Sequence, residues 1–150
     1  MPKSRAPREC SIADALEMVG ERWSLLVVRE LMHGVHRFDQ IIRNTGMSRD
    51  ILATRLRKLE TVGVIKGERY CERPQRCEYH LTPAGSELGD VLLTLMRWGD
   101  RHLNADHPPV VLHHSCGEVL EPVVVCRHCQ EPARDHLHSA TGRGVLPRED

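Results

Sequence analysis

The stretch RFDQIIRNTGMSRDILATRLRKLETVGVIKGERYCERPQRCEYHLT, Arg37 to Thr82, decides the fold. Phe38, Ile41 and Ile42 recur at spacings of three and one, which puts them on one face of a short helix. Gly46 supplies the residue that tolerates a left-handed turn. Ser48 then caps a second helix, because its hydroxyl can accept from a free backbone N–H. At about 3.6 residues per turn, Leu52, Leu56 and Leu59 form that helix's inward stripe. Asp50, Ala53, Thr54, Arg57 and Lys58 point the other way, with Arg49 and Arg55 flanking the stripe. Two strands follow, VIKGERY (64–70) and CEYHLT (77–82), joined by a loop that holds Pro74, a residue unsuited to a central strand. Arg69, Arg73 and Arg76 surround this loop. The order is a helix-turn-helix with a β-hairpin wing.

Such an arrangement suits a DNA duplex. A helix lies in the major groove with residues near its N-terminus at base edges, while Arg and Lys neutralise phosphates. Ser48, Arg49, Asp50, Thr54, Arg55, Arg57 and Lys58 are therefore the candidate DNA contacts of the second helix. Arg73 and Arg76 are those of the wing, directed at backbone or minor groove. A solvated basic helix and hairpin on some other domain is the blander alternative.

Bulk composition hides this. The chain carries 21 Lys+Arg and 21 Asp+Glu, but residues 1–82 hold 15 basic and 11 acidic side chains, a net of +4, against −4 for residues 83–150. The asymmetry assigns a charged partner to the first part. With 3% aromatic residues, the core must be aliphatic. No apolar run approaches the ~18–20 residues of a membrane span, and no apolar segment follows the basic start MPKSRAPREC as a signal peptide would require. A cytoplasmic protein is expected, where thiols stay reduced. The six cysteines are then metal ligands, redox switches or buried residues rather than a disulfide framework.

Outward from the central stretch, SIADALEMV (11–19) predicts a helix with Ile12, Leu16 and Val19 on its apolar face. SLLVVRELM (24–32) predicts a nearly all-apolar helix central to the core, with Trp23 as an anchor. A further helix is expected from about Ala84 to Asn104, opened by Pro83. Its stripe of Leu88, Val91, Leu92, Leu95 and Trp98 can pack back on the domain, pair with a second copy, or do both. His33, His36 and His80 read as solvated or core histidines. Phosphate-loop, dinucleotide-glycine and serine-elbow signatures are absent, and no Ser/His/Asp or paired-carboxylate set stands out, so an enzyme is not expected.

Residues 10–99 resemble the HxlR-type family of bacterial, MarR-like winged-helix transcriptional regulators. The matching pieces are Cys10 with its following helix, GERWSLLVVRELMHGVHRF (20–38), LATRLRKLETVGVI (52–65), EYHLT (78–82) and LMRWGD (95–100), in the family's order. The resemblance implies a homodimer on a pseudo-palindromic operator, with terminal helices building the dimer interface. It also implies a possible role for Cys10 in sensing oxidants or electrophiles. The residues fit this: a helix N-terminus favours a thiolate, and Arg5 and Arg8 add charge of the same sign. A small residue packed on the first helix is the alternative.

The tail HHSCGEVLEPVVVCRHC (113–129) departs from the shortest family members. Cys126 and Cys129 are separated by two residues, as are His113 and Cys116, and a glycine follows the first pair. Three Cys and one His suit tetrahedral Zn²⁺ in a structural site, and a fragment this short and poor in apolar residues needs a staple. His113, Cys116, Cys126 and Cys129 are the candidate ligands of a zinc-ribbon-like hairpin. His114, His128, His136 or His138 can replace His113, and unconnected cysteines in a loose tail are the alternative. Cys71 and Cys77, at the ends of the wing strands, are candidates for a reversible disulfide.

The expected fold is mainly α with a small β-hairpin wing, plus a small metal-stapled C-terminal hairpin. The expected domains are a flexible basic arm (1–10), a winged-helix DNA-binding and dimerisation domain (11–106), a zinc-ribbon-like extension (107–138) and a flexible tail (139–150). The expected function is a sequence-specific regulator, a repressor in the first instance, acting as a homodimer on double-stranded DNA with a small-molecule or redox effector. The competing readings are a metal-responsive regulator with the tail as sensor, and a winged-helix module that binds protein.

Overall fold

The computed structural model describes residues 10–135 and residue 137. The expected arm before Cys10, the tail 139–150, and the alternative ligands His136 and His138 lie outside the described residues. The element order is α1 (Ser11–Val19), α2 (Arg22–Met32), α3 (Phe38–Thr45), α4 (Arg49–Thr61), β1 (Ile65–Glu72), β2 (Gln75–Leu81) and α5 (Pro83–His102). The chain divides into two compact units, Met1–Leu92 and Leu93–Asp150. The division falls inside α5.

The first unit is the winged helix-turn-helix. Its core is aliphatic, as composition demanded: Val27, Val28 and Leu31 of α2 are buried with Ile41 of α3, Leu52, Leu56 and Leu59 of α4, and Val64 and Ile65 where the wing begins. Burying such a side chain contributes on the order of 1.5–3 kcal/mol, so the α2–α4 contact fixes how α4 sits. Phe38, Ile42, Leu88 and Leu92 pack against this core from its edge.

Local chemistry sets the boundaries. Gly46 ends α3 in the left-handed region at φ 72°, and its N–H donates to the Ile42 carbonyl. The Ser48 hydroxyl accepts from the Ile51 N–H at 3.3 Å and opens α4. Helix α2 begins at Arg22, two residues before the expected Ser24. Ser24 lies inside the helix and is buried. In the wing, β1 and β2 pair antiparallel from Ile65 opposite Leu81 to Glu72 opposite Gln75. The expected six-residue loop is therefore only the turn at Arg73 and Pro74, because Cys71 and Glu72 pair with Arg76 and Gln75 beyond a bulge at Tyr70. At the far end Thr82 ties the wing to α5. Its hydroxyl donates to the Gly63 carbonyl at 2.6 Å and accepts the Gly85 N–H at 3.1 Å. A Cβ at Gly85 would lie 2.0 Å from the Val64 carbonyl oxygen, so only glycine allows this approach.

One charged group is buried in α2 itself. Glu30 is 4% exposed. Its carboxylate accepts from the Arg29 guanidinium at 2.7 Å and from Asn44 Nδ2 of α3 at 2.7 Å. The apolar look of SLLVVRELM gave no hint that its one acid would face inward. Hydrogen bonds to a buried charge contribute about 1.5–3 kcal/mol, and losing the acceptor leaves its donors unsatisfied. Glu30→Ala is expected to lower unfolding stability by about 2 kcal/mol in urea titrations, and Glu30→Gln by less, since it keeps an acceptor for Asn44. Equal stability of Glu30→Ala and the parent would show the Asn44 tie to be dispensable.

Candidate DNA interface, thiols and C-terminal turns

Helix α4 presents two different polar faces. Ser48, Arg49, Asp50, Thr54 and Arg57 are exposed. Arg49 donates to Asp39 of α3 at 2.8 Å and lies 5.0 Å over the Phe38 ring. Arg55 and Lys58 are turned elsewhere: both reach Glu21, between α1 and α2, Arg55 in a close ion pair and Lys58 at 4.0 Å. Arg55 is 20% exposed, and its Nε is buried with no hydrogen-bond partner among the described residues. The expected contact residues thus divide between two faces of α4. Arg55 and Lys58 hold α4 to the α1–α2 junction because that edge of α4 lies against an acid, a pairing the sequence spacing did not reveal.

An open cleft of 680 Å³ lies between α3 and the wing, and four of its lining residues are Arg37, Arg43, Arg49 and Arg76. Asp39 lines it too, and Glu78 on β2 accepts from Arg37 at 2.9 Å. The bond to Glu78, then the field of Tyr70 and Glu78, raise the Arg37 pKa above the ordinary arginine value. Arg37 also sits 5.0 Å over the Tyr70 ring. The strand-like piece before α3 joins the wing: Tyr79 N–H donates to the His36 carbonyl, and Arg37 bridges Glu78. His36 contacts the Tyr79 carbonyl through Nδ1 at 2.8 Å and stacks on His80 at 4.3 Å between ring centroids. The reading of these histidines as packing residues fits that geometry. Arg37 and Arg43 were missed at the sequence level. The available signal was the three-residue step Arg37, Gln40, Arg43 along one side of α3.

All six cysteines are free thiols. Cys10 is half-buried at the N-cap position of α1, where its carbonyl accepts the Asp14 N–H and its side chain makes no capping bond. Cys71 lies opposite Arg76, and Cys77 opposite Arg69. The wing thiols are therefore staggered across the ladder and not directly paired.

In the second unit the expected single hairpin is two separate turns. The first closes with the Leu120 N–H on the Leu112 carbonyl and the His114 N–H on the Glu118 carbonyl. The second closes with the Ala133 N–H on the Val124 carbonyl and the Cys126 N–H on the Glu131 carbonyl. Each turn satisfies its own backbone, so no long strand pair forms between them. Among the described residues, no three His, Cys, Asp or Glu side chains come close enough to hold a metal ion. In the second turn the backbone N–H groups of Cys129 and then His128 donate to Cys126 Sγ, with the Cys129 side chain adding to them. Together they lower the Cys126 pKa below the ordinary thiol value. Arg97 of α5 donates to the Pro122 carbonyl at 2.8 Å between the turns. No helix among the described residues is long and apolar enough to cross a membrane.

Comparison with known proteins gives a consistent result. Residues 18–107 match the model of the HxlR-like helix-turn-helix family. An HTH-type transcriptional regulator of Mycobacterium bovis, Mb3122, is 45% identical over 139 residues, covering 91% of this chain and 84% of that protein. Rv3095 of Mycobacterium tuberculosis, also an HTH-type transcriptional regulator, matches to the same extent. Among solved structures, the transcription factor PA1607 superposes with a TM-score of 0.74 at 28% identity, covering 93% of this chain and 96% of that one. The redox regulator HypR in its oxidised form superposes at 0.57 and 28% identity, over 62% of this chain and 97% of its own. The reduced Bacillus subtilis transcriptional regulator YodB does so at 0.55 and 29%, over 65% and 98%.

A prediction separates the two polar faces of α4. Arg55→Ala is expected to cost on the order of 1 kcal/mol of stability, as a partly buried ion pair is lost. Arg57→Ala, on the exposed face, is expected to leave the urea midpoint within ~0.5 kcal/mol of the parent. The reverse ranking in denaturation curves would sink the assignment of the faces.

Proposed function

The chain belongs to the HxlR-like helix-turn-helix family of transcriptional regulators, and we propose that it is a homodimeric repressor of sequence-specific type, relieved by oxidants or electrophiles. The exposed polar face of α4 carries the DNA reading. Ser48, Arg49 and Asp50 stand at the helix N-terminus, the part that reaches base edges when a helix lies in the major groove. Thr54 and Arg57 continue that face. The arginine cleft beside it suits the phosphate backbone, with Arg37, Arg43 and Arg76 as its cations and Arg73 at the wing tip.

The dimer reading rests on exposed apolar side chains at helical spacing. Val91, Leu95 and Trp98 of α5 are 51%, 51% and 54% exposed, and Ile12 and Leu16 of α1 are exposed as well. Exposed apolar stripes of this kind mark interfaces. The inner side of α5, Leu88 and Leu92, is spent on the core, so one helix serves both purposes. A dimer carries two α4 helices, and the operator must then repeat its half-site at the spacing the dimer sets.

For the input, Cys10 is a half-buried thiol at the start of α1, and a neighbour in structure, HypR, is named a redox regulator. A peroxide would oxidise the Cys10 thiolate to a sulfenic acid and leave as hydroxide. The Cys10 thiol of a second copy would then condense with it, releasing water and forming a disulfide. An electrophile would instead add directly to the thiolate.

Titrating reduced protein into labelled DNA from upstream of its own gene, with unrelated DNA as control, tests the reading. Tighter binding to its own DNA is expected. Arg57→Ala should weaken that binding and, if Arg57 meets a phosphate, lower the slope of log affinity against log salt by about one unit. An unchanged affinity refutes the assigned face, and salt-independent binding refutes the phosphate contacts. Peroxide treatment should release the parent from its operator and leave Cys10→Ala bound; release of both alike removes Cys10 from the mechanism.

A further inference from the structure

The two C-terminal turns repeat one another. In the first, His113 bridges Val119, and the next residue, His114, donates its N–H to the Glu118 carbonyl. In the second, Val125 bridges Pro132, and the next residue, Cys126, donates its N–H to the Glu131 carbonyl. Cys116 is followed by Gly117 at φ 95°, and Cys129 by Gln130 at φ 63°. Gln130 is the one residue other than glycine with positive φ among those described. The left-handed backbone after each second cysteine is thus kept even where no glycine supports it. The Gly117 N–H closes on the His114 carbonyl and the Gln130 N–H on the Cys126 carbonyl. In this frame His114 corresponds to Cys126, and Cys116 to Cys129. His113 corresponds to Val125, a residue with no donor atom.

The side chains follow the backbone. The Cys116 N–H contacts His114 Nδ1 at 3.4 Å, so the first turn curls its His114 side chain back over the residues that lead to Cys116. The segment has a second property that calls for a ligand. From 103 to 135 not one described residue is buried, and Val119, Val123 and Val124 are exposed. Ordered turns without an apolar core need another source of cohesion.

We propose that the two turns bind one zinc-class divalent cation through His114, Cys116, Cys126 and Cys129. The histidine is His114, which the turn register selects, and not His113, which the residue spacing favours. Three thiols lose their protons to solvent on binding, and the neutral imidazole adds the fourth donor, leaving a net charge of −1 on the site. Four protein donors fill a tetrahedral shell and leave no place for a reacting water, so the ion is a staple. The Cys116 N–H contact on Nδ1 yields if the metal takes that nitrogen. Among the described residues no three His, Cys, Asp or Glu side chains stand close enough to hold an ion, so binding would draw the two turns together.

The test uses the full chain, purified reduced and measured without DNA, so that it stands or falls apart from the regulatory reading. Metal analysis is expected to find one zinc per chain. Replacement by Co²⁺ should give the intense visible bands of a tetrahedral site and a thiolate charge-transfer band. Cys126→Ser and His114→Ala should lose the metal or weaken it at least tenfold in competition with a chelator. His113→Ala should keep it, and far-ultraviolet circular dichroism of each variant should retain the helical signal of the winged helix. No zinc in the parent together with no tetrahedral cobalt spectrum overturns the site. Loss of metal in His113→Ala but not in His114→Ala overturns the choice of ligand.

Discussion

Everything in the first unit depends on α4 being held by its own inward leucines. Leu52, Leu56 and Leu59 are buried against Val27, Val28 and Leu31 of α2, and this apolar contact sets the helix's rotation about its axis. A helix has one rotation for all its side chains, so fixing the leucines also fixes which way Thr54 and Arg57 point. The polar ties refine this. Asn44 reaches Glu30 at the end of α3, Arg49 reaches Asp39, and Arg55 reaches Glu21. These charged pairs are individually modest where exposed, but each acts on a different edge of the helix-turn-helix. Together they leave its outer face as the side with no packing duty.

The elements were legible in the sequence wherever periodicity and capping agreed. The span of α1, the Gly46 turn and the Ser48 cap each follow from one or two residues whose chemistry has a single good use. Strand ends were harder. On sequence Cys71 and Glu72 fall in the loop, and only the register with Arg76 and Gln75 extends the ladder to a short turn. Burial of charge was not legible at all. Glu30 sits in a run of apolar residues where an outward acid is the ordinary expectation. Arg55 lies on α4 at a place where helical spacing says outward flank, and only the position of Glu21 in space turns it inward. Sequence spacing reports faces of one helix, whereas pairing depends on which other element each face meets.

The same limit governs the tail. Residue spacing makes His113 and Cys116 a match for Cys126 and Cys129, with two residues between donors in each pair. Backbone register gives a different match, because the first turn is tighter than the second. The Gly117 N–H reaches back three residues and the Gln130 N–H four. A one-residue change in turn length moves the neighbouring side chain to the other face of an extended segment. Which of two adjacent histidines faces the cysteines is therefore a property of the turn, invisible to a count of residues.

Cys10 and the DNA-facing helix are linked by a short physical route. Cys10 stands at the start of α1, and Glu21 directly follows that helix at the N-cap of α2. Glu21 is in turn the acid that holds Arg55 and Lys58 of α4. The Arg55 side chain is mostly buried, and its Nε has no hydrogen-bond partner among the described residues. A displacement of α1 that carries Glu21 with it must either shift α4 or break this partly buried pair, at a cost on the order of 1 kcal/mol. On the proposed dimer, two α4 helices would have to meet two half-sites at a fixed spacing, and a small rotation of each would be enough to lose that register. On the proposed function, this ion pair would couple chemistry at Cys10 to the helix assigned to the groove.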